Sequence, residues 1–322
     1  MKHDLLQVLT EMKDGYVSGQ QISDRLGVSR TAVWKHMEDL RKEGYVIEAI
    51  PRKGYQLKAR PETLSEAEIK AGLSTNKIGQ TTFYKSKVTS TQTLAKEAYR
   101  EGTPHGTAIV ASEQTGGRGR MERPWQSPEQ TSISVSIVVK PDISIREAPQ
   151  LTLVTAVAAA EALEQMTQLP VQIKWPNDIY INNRKVSGIL TEMQAEAEVD
   201  KIQMMIVGIG LNINQKQAHF PEDLREKATS LYVESGKEWP RAYILQALFI
   251  AFEKWYDTWM EHGFDHIRET WEKYAALYER PVKAMQGNKT VVGHMIGINR
   301  EGVLQLKDQH GEVHLIYSGD LE

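Results

Sequence analysis

Three stretches of the sequence combine residue types that can act on an anionic substrate. The first is Thr115-Gly116-Gly117-Arg118-Gly119-Arg120-Met121-Glu122-Arg123. Glycines let backbone N–H groups approach an anion, and arginine forks make bidentate bonds to carboxylate or phosphate. The run lacks the Gly-Lys-Ser/Thr of a Walker A loop and the third glycine of a dinucleotide fingerprint. It reads as an anion-binding loop or, by composition alone, as a flexible or RNA-binding Arg/Gly stretch. The second stretch is Lys174-Trp175-Pro176-Asn177-Asp178, followed by Lys185-Val186-Ser187-Gly188. A carboxylate after a constrained turn can hold a metal or orient an amine nucleophile, and Lys185 can neutralise charge developing on a phosphate. A structural Asx turn beside an exposed lysine gives the same pattern. The third stretch, Gly208-Ile209-Gly210-Leu211-Asn212-Ile213-Asn214, follows a β-rich run, where glycines admit either a ligand or a tight turn.

These motifs need a frame, and apolar patterning supplies one. Thr107 to Ala111, Ile133 to Val139 and Ile202 to Val207 read as strands, and Leu151 to Thr167 as a long helix. Ile179 to Ile181 and Lys185 to Met193 form a hairpin around Asn182-Asn183. Pro240 to His262 reads as a helix with Ile244, Leu248, Phe252 and Trp255 on one face. Strands joined partly by hairpins and partly by helices imply an α+β arrangement. Beyond Leu277, Pro281 to Met285, Thr290 to Ile298, Val303 to Leu306 and Val313 to Tyr317 read as short strands. Turn signals at Gly287-Asn288, Arg300-Glu301-Gly302 and His310-Gly311 separate them, predicting a small SH3-like antiparallel barrel.

The head of the chain has a different character. Residues 4–14 predict a helix, with Leu5, Leu6, Val8, Leu9 and Met12 as its apolar stripe. Ser18 is placed to cap a second helix carrying Ile22 and Leu26, and Gly27 to end it in a left-handed turn. Ser29 then caps a third helix over Arg30 to Glu43, with Val33, Met37 and Leu40 facing a core. Two helices joined by such a turn form a helix-turn-helix. Ser29, Arg30, Thr31, Trp34 and Lys35 lie on the far side of that last helix, where base edges are read. Val46 to Ile50 and Tyr55 to Leu57 follow as strands around Pro51-Arg52-Lys53-Gly54, a wing that offers Arg52 and Lys53 to phosphates. A protein-binding module with merely solvated charges is the alternative. Lys58-Ala59-Arg60-Pro61-Glu62 reads as a linker.

Composition narrows the classes further. Net charge is -3, yet residues 1–60 carry 11 basic and 8 acidic side chains, a surplus of positive charge in the head alone. That asymmetry suits a head that meets a polyanion. The absence of cysteine excludes a disulfide scaffold, a Cys-ligated zinc finger, an iron–sulfur cluster and a thiol nucleophile. With 40% hydrophobic and 25% charged residues the chain is an ordinary globular one, and 322 residues allow two or three domains at ~100–200 each. No apolar run approaches the ~18 residues of a membrane span, and no signal core follows Met1, so the expectation is a cytoplasmic protein with no membrane partner. His262 and His266 have metal-ligand spacing, but Gly263 interrupts them, and a metal site is not expected. Asn288-Lys289-Thr290 is a glycosylation sequon without meaning in a cytoplasmic protein.

In order and approximate spacing, Gly117-Arg118-Gly119-Arg120, Lys174 to Asp178, Lys185 to Gly188 and Gly208 to Asn214 resemble the biotin protein ligase signature. With the helix-turn-helix in front and the barrel behind, nearly the whole chain resembles the bifunctional form, ligase and biotin operon repressor together. The resemblance implies a winged helix-turn-helix over 1–60, a class II synthetase-like mixed α/β catalytic domain over 64–275 and the SH3-like barrel over 277–322. It implies ATP and Mg²⁺, biotin as substrate, and no tightly bound protein metal. Biotin's carboxylate would attack the α-phosphate of ATP, and a lysine of a biotin carboxyl carrier domain would then attack biotinoyl-AMP.

By the same resemblance Ser90, Thr91, Gln92 and Gln114 would hold biotin's ureido ring and flank. Arg118, Gly119 and Arg120 would bind the carboxylate and adenylate phosphate, with Arg123 helping on phosphates and Trp125 stacking on adenine. Lys185 would touch both ligands, and Arg118, Lys185 and Asp178 would be catalytic. Asn177, Asp178 and Asn212 would serve the nucleotide, Asp178 through ATP-bound Mg²⁺ or by positioning the acceptor lysine. The Thr115–Arg123 loop would close over the adenylate to keep water out. Bound adenylate would favour a homodimer offering two winged helices to palindromic operator DNA. One departure stands out. Glu129-Gln130-Thr131-Ser132-Ile133-Ser134-Val135-Ser136 lacks the glycines and the aromatic usual after this loop. A lipoate or octanoate ligase, a catalytically weakened biotin-sensing repressor, and an enzyme whose winged helix no longer represses are the rival readings.

Overall fold

The computed structural model describes residues 1–12, 15–61, 64–128, 130–196, 200–286 and 289–321. Its contacts divide the chain into two units, Met1–Ser74 with Pro240–Gln246, and Thr75–Trp239 with Ala247–Glu322.

The first unit is built from locally encoded helices. Helix α1 (Lys2–Glu11) buries Leu5, Leu6, Val8 and Leu9. It starts and ends earlier than the 4–14 span of the apolar pattern, and Lys13 and Asp14 lie outside the described residues. Ser18 caps α2 (Gly19–Leu26) in a reciprocal capping box with Gln21. Gly27 closes the helix at φ 65°, and the Ser29 hydroxyl accepts from Ala32 N at 3.2 Å to start α3 (Arg30–Lys42). Strands β1 (Val46–Ile50) and β2 (Gly54–Ala59) pair as an antiparallel hairpin. Ile22, Val33, Met37 and Leu40 close the core under both, as their spacing requires.

The linker expectation is corrected. Lys58 and Ala59 complete β2, and Arg60 places one guanidinium nitrogen 2.9 Å from each oxygen of Glu68, itself buried. Glu68 lies on α4 (Glu66–Lys70), which packs against α1. Glu62 lies outside the described residues. Gln246, far along the chain, donates to the carbonyls of Glu68 and Ala71, both at 2.8 Å.

The second unit holds two sheets. The larger has the order β3-β4-β5-β9-β8-β7-β6: β3 (Thr82–Val88), β4 (Thr107–Gln114), β5 (Ser132–Val139), β6 (Val171–Lys174), β7 (Asp178–Ile181), β8 (Arg184–Glu196) and β9 (Lys201–Asn212). Among the described strands of this sheet only β3 and β4 pair in parallel, joined across helix α5 (Thr91–Arg100). Helix α6 (Ala148–Thr167) covers the opposite face. Its Thr152 bonds Thr191 of β8, whereas the next residue, Glu192, bonds α5. Several elements outrun their apolar patterns, and two of these matter for the site. β4 runs past Ala111 to Gln114, and β9 runs past Val207 to Asn212. Gly208 and Gly210 are therefore interior to a strand rather than at its end.

A short α7 (Leu231–Ser235), then α8 (Arg241–His262) and α9 (Asp265–Tyr274), follow. The chain ends in a five-stranded antiparallel sheet ordered β13-β12-β11-β10-β14. Its strands are β10 (Pro281–Gln286), β11 (Lys289–Ile298), β12 (Leu304–Lys307), β13 (Val313–Ile316) and β14 (Asp320–Leu321), the last not anticipated. Val282, Ala284, Met295, Leu304, Leu306 and Ile316 fill its core, in keeping with an SH3-like module. The Gly287-Asn288 turn and the sequon's Asn288 lie outside the described residues. No helix among them is long and apolar enough to cross a membrane.

Candidate functional site: a cation-lined cleft and a winged-helix face

The α5 face of the larger sheet carries a cleft whose floor is made of small residues. Ser134 pairs with Gly210, Ser136 with Gly208, and Gly210 with Gly188, so β5, β9 and β8 present one flat strip. A Cβ on Gly210 would lie 2.3 Å from the Trp125 indole, and one on Gly208 would lie 3.0 Å from the Gln92 amide carbon. The glycines thus let a ring and an amide lie directly on the sheet. The substituted stretch supplies hydroxyls instead of an aromatic wall. Ser127 Oγ sits 2.8 Å from Ser132 Oγ and 3.0 Å from Ser134 Oγ, and Ser136 donates to Thr91 Oγ1 at 2.8 Å. Glu129 of that stretch lies outside the described residues.

The start of α5 and the end of β4 form one wall. Gln114 Oε1 accepts from Thr91 N at 2.7 Å and Thr91 Oγ1 at 3.1 Å, with Ser90 and Gln92 buried beside it. The Arg/Gly loop forms the lid side. It folds back as a small hairpin, Trp125 N donating to Gly117 O at 2.9 Å and Gly119 N to Arg123 O at 2.8 Å. Arg118, Gly119, Arg120, Arg123 and Trp125 all face the cleft. Arg120 donates to Asn177 Oδ1 at 3.0 Å, while the Asn177 amide donates to Ile189 O at 2.7 Å. Asn177 follows a cis Trp175–Pro176 bond.

Lys185 closes the far end. Its backbone is clamped by Lys227 O and Thr229 N, each at 2.8 Å, and its Nζ lies 2.7 Å from Asp178 Oδ1. The same ammonium sits 5.7 Å from the centre of the Trp125 ring.

Twelve of the thirteen residues expected at biotin or nucleotide therefore meet in one cleft. Asn212 is the exception. It is buried, donates to Thr229 O at 3.0 Å and accepts from Gln215 at 2.9 Å, which makes it part of the frame. Two residues at the cleft's edge were missed by sequence reading. Glu192 Oε1 lies 2.9 Å from Lys96 Nζ and 3.3 Å from Arg118 Nη2, and Glu192 Oε2 accepts from Gln92 at 3.0 Å. No local pattern announces them, because α5 meets β8 across about a hundred residues of chain.

The head presents a second surface. The cap residue Ser29 and Arg30, Thr31, Trp34 and Lys35 of α3 are exposed, with Trp34 57% open to solvent. The Ser29 hydroxyl is already committed to the helix cap. Arg52 and Lys53 are exposed at the hairpin tip. Arg30, Thr31, Trp34, Pro51 and Arg52 line one groove between helix and wing.

A cleft lined by cations, in a chain whose head is a winged helix-turn-helix, has a counterpart among known proteins. Residues 84–212 match the biotin/lipoate A/B protein ligase family and residues 2–56 match an HTH domain; the chain belongs to that ligase family. Within it the chain is similar to the bifunctional ligase/repressor BirA of Bacillus spizizenii, 46% identical over 322 residues covering 100% of this chain and 98% of the relative. The Escherichia coli protein of the same name is 28% identical over 98% of this chain and 96% of its own length. Among solved structures, the biotin protein ligase of Aquifex aeolicus in complex with biotin and ATP aligns with a TM-score of 0.65 and 31% identity. That alignment covers 76% of this chain and 98% of the other.

Proposed function

We propose that this chain is an ATP-dependent biotin protein ligase that also represses transcription in response to its own intermediate. The observation that carries the enzymatic half is the convergence of Arg118, Arg120, Lys185 and Asp178 with the Ser90–Gln92 wall in one cleft. Joining a carboxylate to a triphosphate brings two anions together, and the cleft supplies the cations this needs.

In this reading Ser90, Thr91, Gln92 and Gln114 hold biotin's ureido end on the glycine–serine floor. Arg118, with Gly119 N–H nearby, directs the carboxylate. Arg120, Arg123 and Lys185 take the phosphates, and Trp125 stacks on adenine. The biotin carboxylate oxygen attacks the α-phosphorus, the bond to the β-phosphate bridging oxygen breaks, and pyrophosphate leaves with Lys185 beside the developing charge. A carrier-domain lysine amine then attacks the acyl carbon, giving the amide, AMP and a proton. Asp178 is the one carboxylate among the described lining residues, so it fits an ion that reaches the site on ATP and keeps mostly phosphate and water ligands. Mg²⁺ held there would neutralise triphosphate charge. Asp178, held by Lys185, is equally placed to receive the amine's proton.

The head binds operator DNA through α3 and the wing, and the adenylate-bound chain pairs with a second copy to present two such heads to a palindrome. The three-part division at 1–60, 64–275 and 277–322 belongs to this reading. The test is biotin-dependent exchange of labelled pyrophosphate into ATP, with lipoate and octanoate in parallel. Exchange with biotin alone is expected. Exchange with lipoate alone would move the chain to the sister branch of its family, and no exchange from folded protein would make it a sensor.

A further inference from the structure

The Gln92 side chain is 95% buried by its 5% exposure, and its two polar ends are treated unequally. Its amide nitrogen donates to Glu192 Oε2 at 3.0 Å and to Leu190 O at 3.3 Å. Both partners can only accept, so the NH₂ end must face them and the carbonyl must face the other way. That carbonyl oxygen is buried and has no hydrogen-bond partner. It lies over Gly208 on the cleft floor, where an added Cβ would come within 3.1 Å of it. A buried acceptor without a donor costs stability unless a ligand supplies one.

From this geometry we infer that Glu192 is a positioning residue that fixes the polarity of Gln92, so that the cleft demands an N–H donor from its acid substrate. Glu192 does not itself line the cleft and reaches it through the side chains of Gln92 and Arg118. It acts by denying Gln92 the flipped orientation, in which an NH₂ would face the cleft and a carbonyl-bearing ligand would be favoured. Lys96 Nζ, 2.9 Å from Oε1, pairs with the carboxylate and holds it beside α5. Arg118, 3.3 Å from the same oxygen, links the anchor to the loop. The inference rests on the biotin reading, in which a ureido N–H is the donor that meets Gln92.

The discriminating substrates are biotin and biotin methylated at one or the other ureido nitrogen. The wild-type chain should prefer biotin over the worse methylated analogue by about tenfold or more in kcat/KM for pyrophosphate exchange, the size of one buried hydrogen bond. Glu192→Gln presents its own amide to Gln92 and lets both amides turn. Its KM for biotin should rise by about tenfold, with kcat nearly unchanged, and its preference over the methylated analogue should shrink to about twofold. Glu192→Asp keeps the charge and shortens the reach, and should show the same loss of preference should Glu192→Gln fold poorly in a thermal melt. Lys96→Met removes the ion pair but leaves Gln92 held, so its preference should match wild type. Wild-type preference retained in a folded Glu192 variant overturns the inference, as does a fall in kcat at unchanged KM. Equal losses in Lys96→Met and Glu192→Gln would do the same, by reducing Glu192 to a charge anchor. A wild-type chain without biotin-dependent exchange overturns the functional reading itself, which separates the two failures.

Discussion

The winged head and the sheet cleft both offer cations to anions, but they hold them in opposite ways. Arg30, Lys35, Arg52 and Lys53 stand exposed on α3 and the hairpin tip. In the cleft, Arg118 is tied to Glu192 and Glu122, Arg120 to Asn177, and Lys185 to Asp178. A polyanion is bound largely by releasing its counterions, which needs charge but little fixed geometry. Phosphoryl activation needs charges already in place when the transition state forms. The internal carboxylates in the cleft also balance its cations before any ligand arrives. The head has less need of that, since water screens its charges.

The largest expected effect comes from Lys185→Ala. Biotin-dependent pyrophosphate exchange should fall by on the order of 10²–10³, while the adenylate-independent affinity of a single head for an operator half-site, measured on the same folded protein, stays intact. A small loss would mean that the charge at the α-phosphate is carried elsewhere, and the contrast between the two regions would fail at its centre. The converse change is Arg52→Ala combined with Lys53→Ala. DNA affinity should drop, and the slope of its logarithm against log salt should shrink by about 2 for each bound head, with exchange unchanged. Loss of both activities in this variant would sink the separation of head and cleft.

Gly210→Ala tests the floor. Its methyl would stand 2.3 Å from the Trp125 indole, so the ring must lift. The KM for ATP should rise several-fold, and stability should fall by about 1–3 kcal/mol as in other overpacked sites. An unchanged KM would show that Trp125 is not the adenine platform.

The smallest effect is on pH dependence. Burial, and then the nearby Lys77 and Lys140, hold the His105 imidazole below its ordinary value of 6.5. Its Nδ1 accepts from Lys140 N at 3.1 Å, which requires the neutral ring. The unfolded chain therefore binds the extra proton first as pH falls, and stability declines below about pH 6.5. Melting curves at about pH 7.5 and 5.5 should show this decline for wild type and a flatter response for His105→Gln. Such a decline marks loss of the frame, which must be separated from loss of the site in any pH profile of the ligase.

Much of the molecule was legible from residues a few positions apart. The capping box at Ser18 and Gln21, the left-handed Gly27 and the stripe of Val33, Met37 and Leu40 all act within two helical turns. The Asn182-Asn183 turn, with φ of 50° and 61°, is equally local. Errors arose where distant chain intervened. The polar run at Lys58–Glu62 looks like a linker until Glu68 folds back to claim Arg60. The Gly208–Asn214 run looks like a strand end until β5 and β8 flank β9 and carry it on to Asn212. Asn212, expected at the nucleotide, has its amide engaged by Thr229 and Gln215 in this fold, a pairing no local pattern announces.

By itself, the sequence determined the winged helix, the identity of the cations and the order of the motifs. Caps, turns and periodicity depend on neighbours within a few residues, and the chemical types are simply present. Only the tertiary structure decided that Gln92 and Lys96 on α5 would meet Glu192 on β8. That pairing needs a strand and a helix about a hundred residues apart to pack on one face of one sheet, and no local preference of either segment specifies the other.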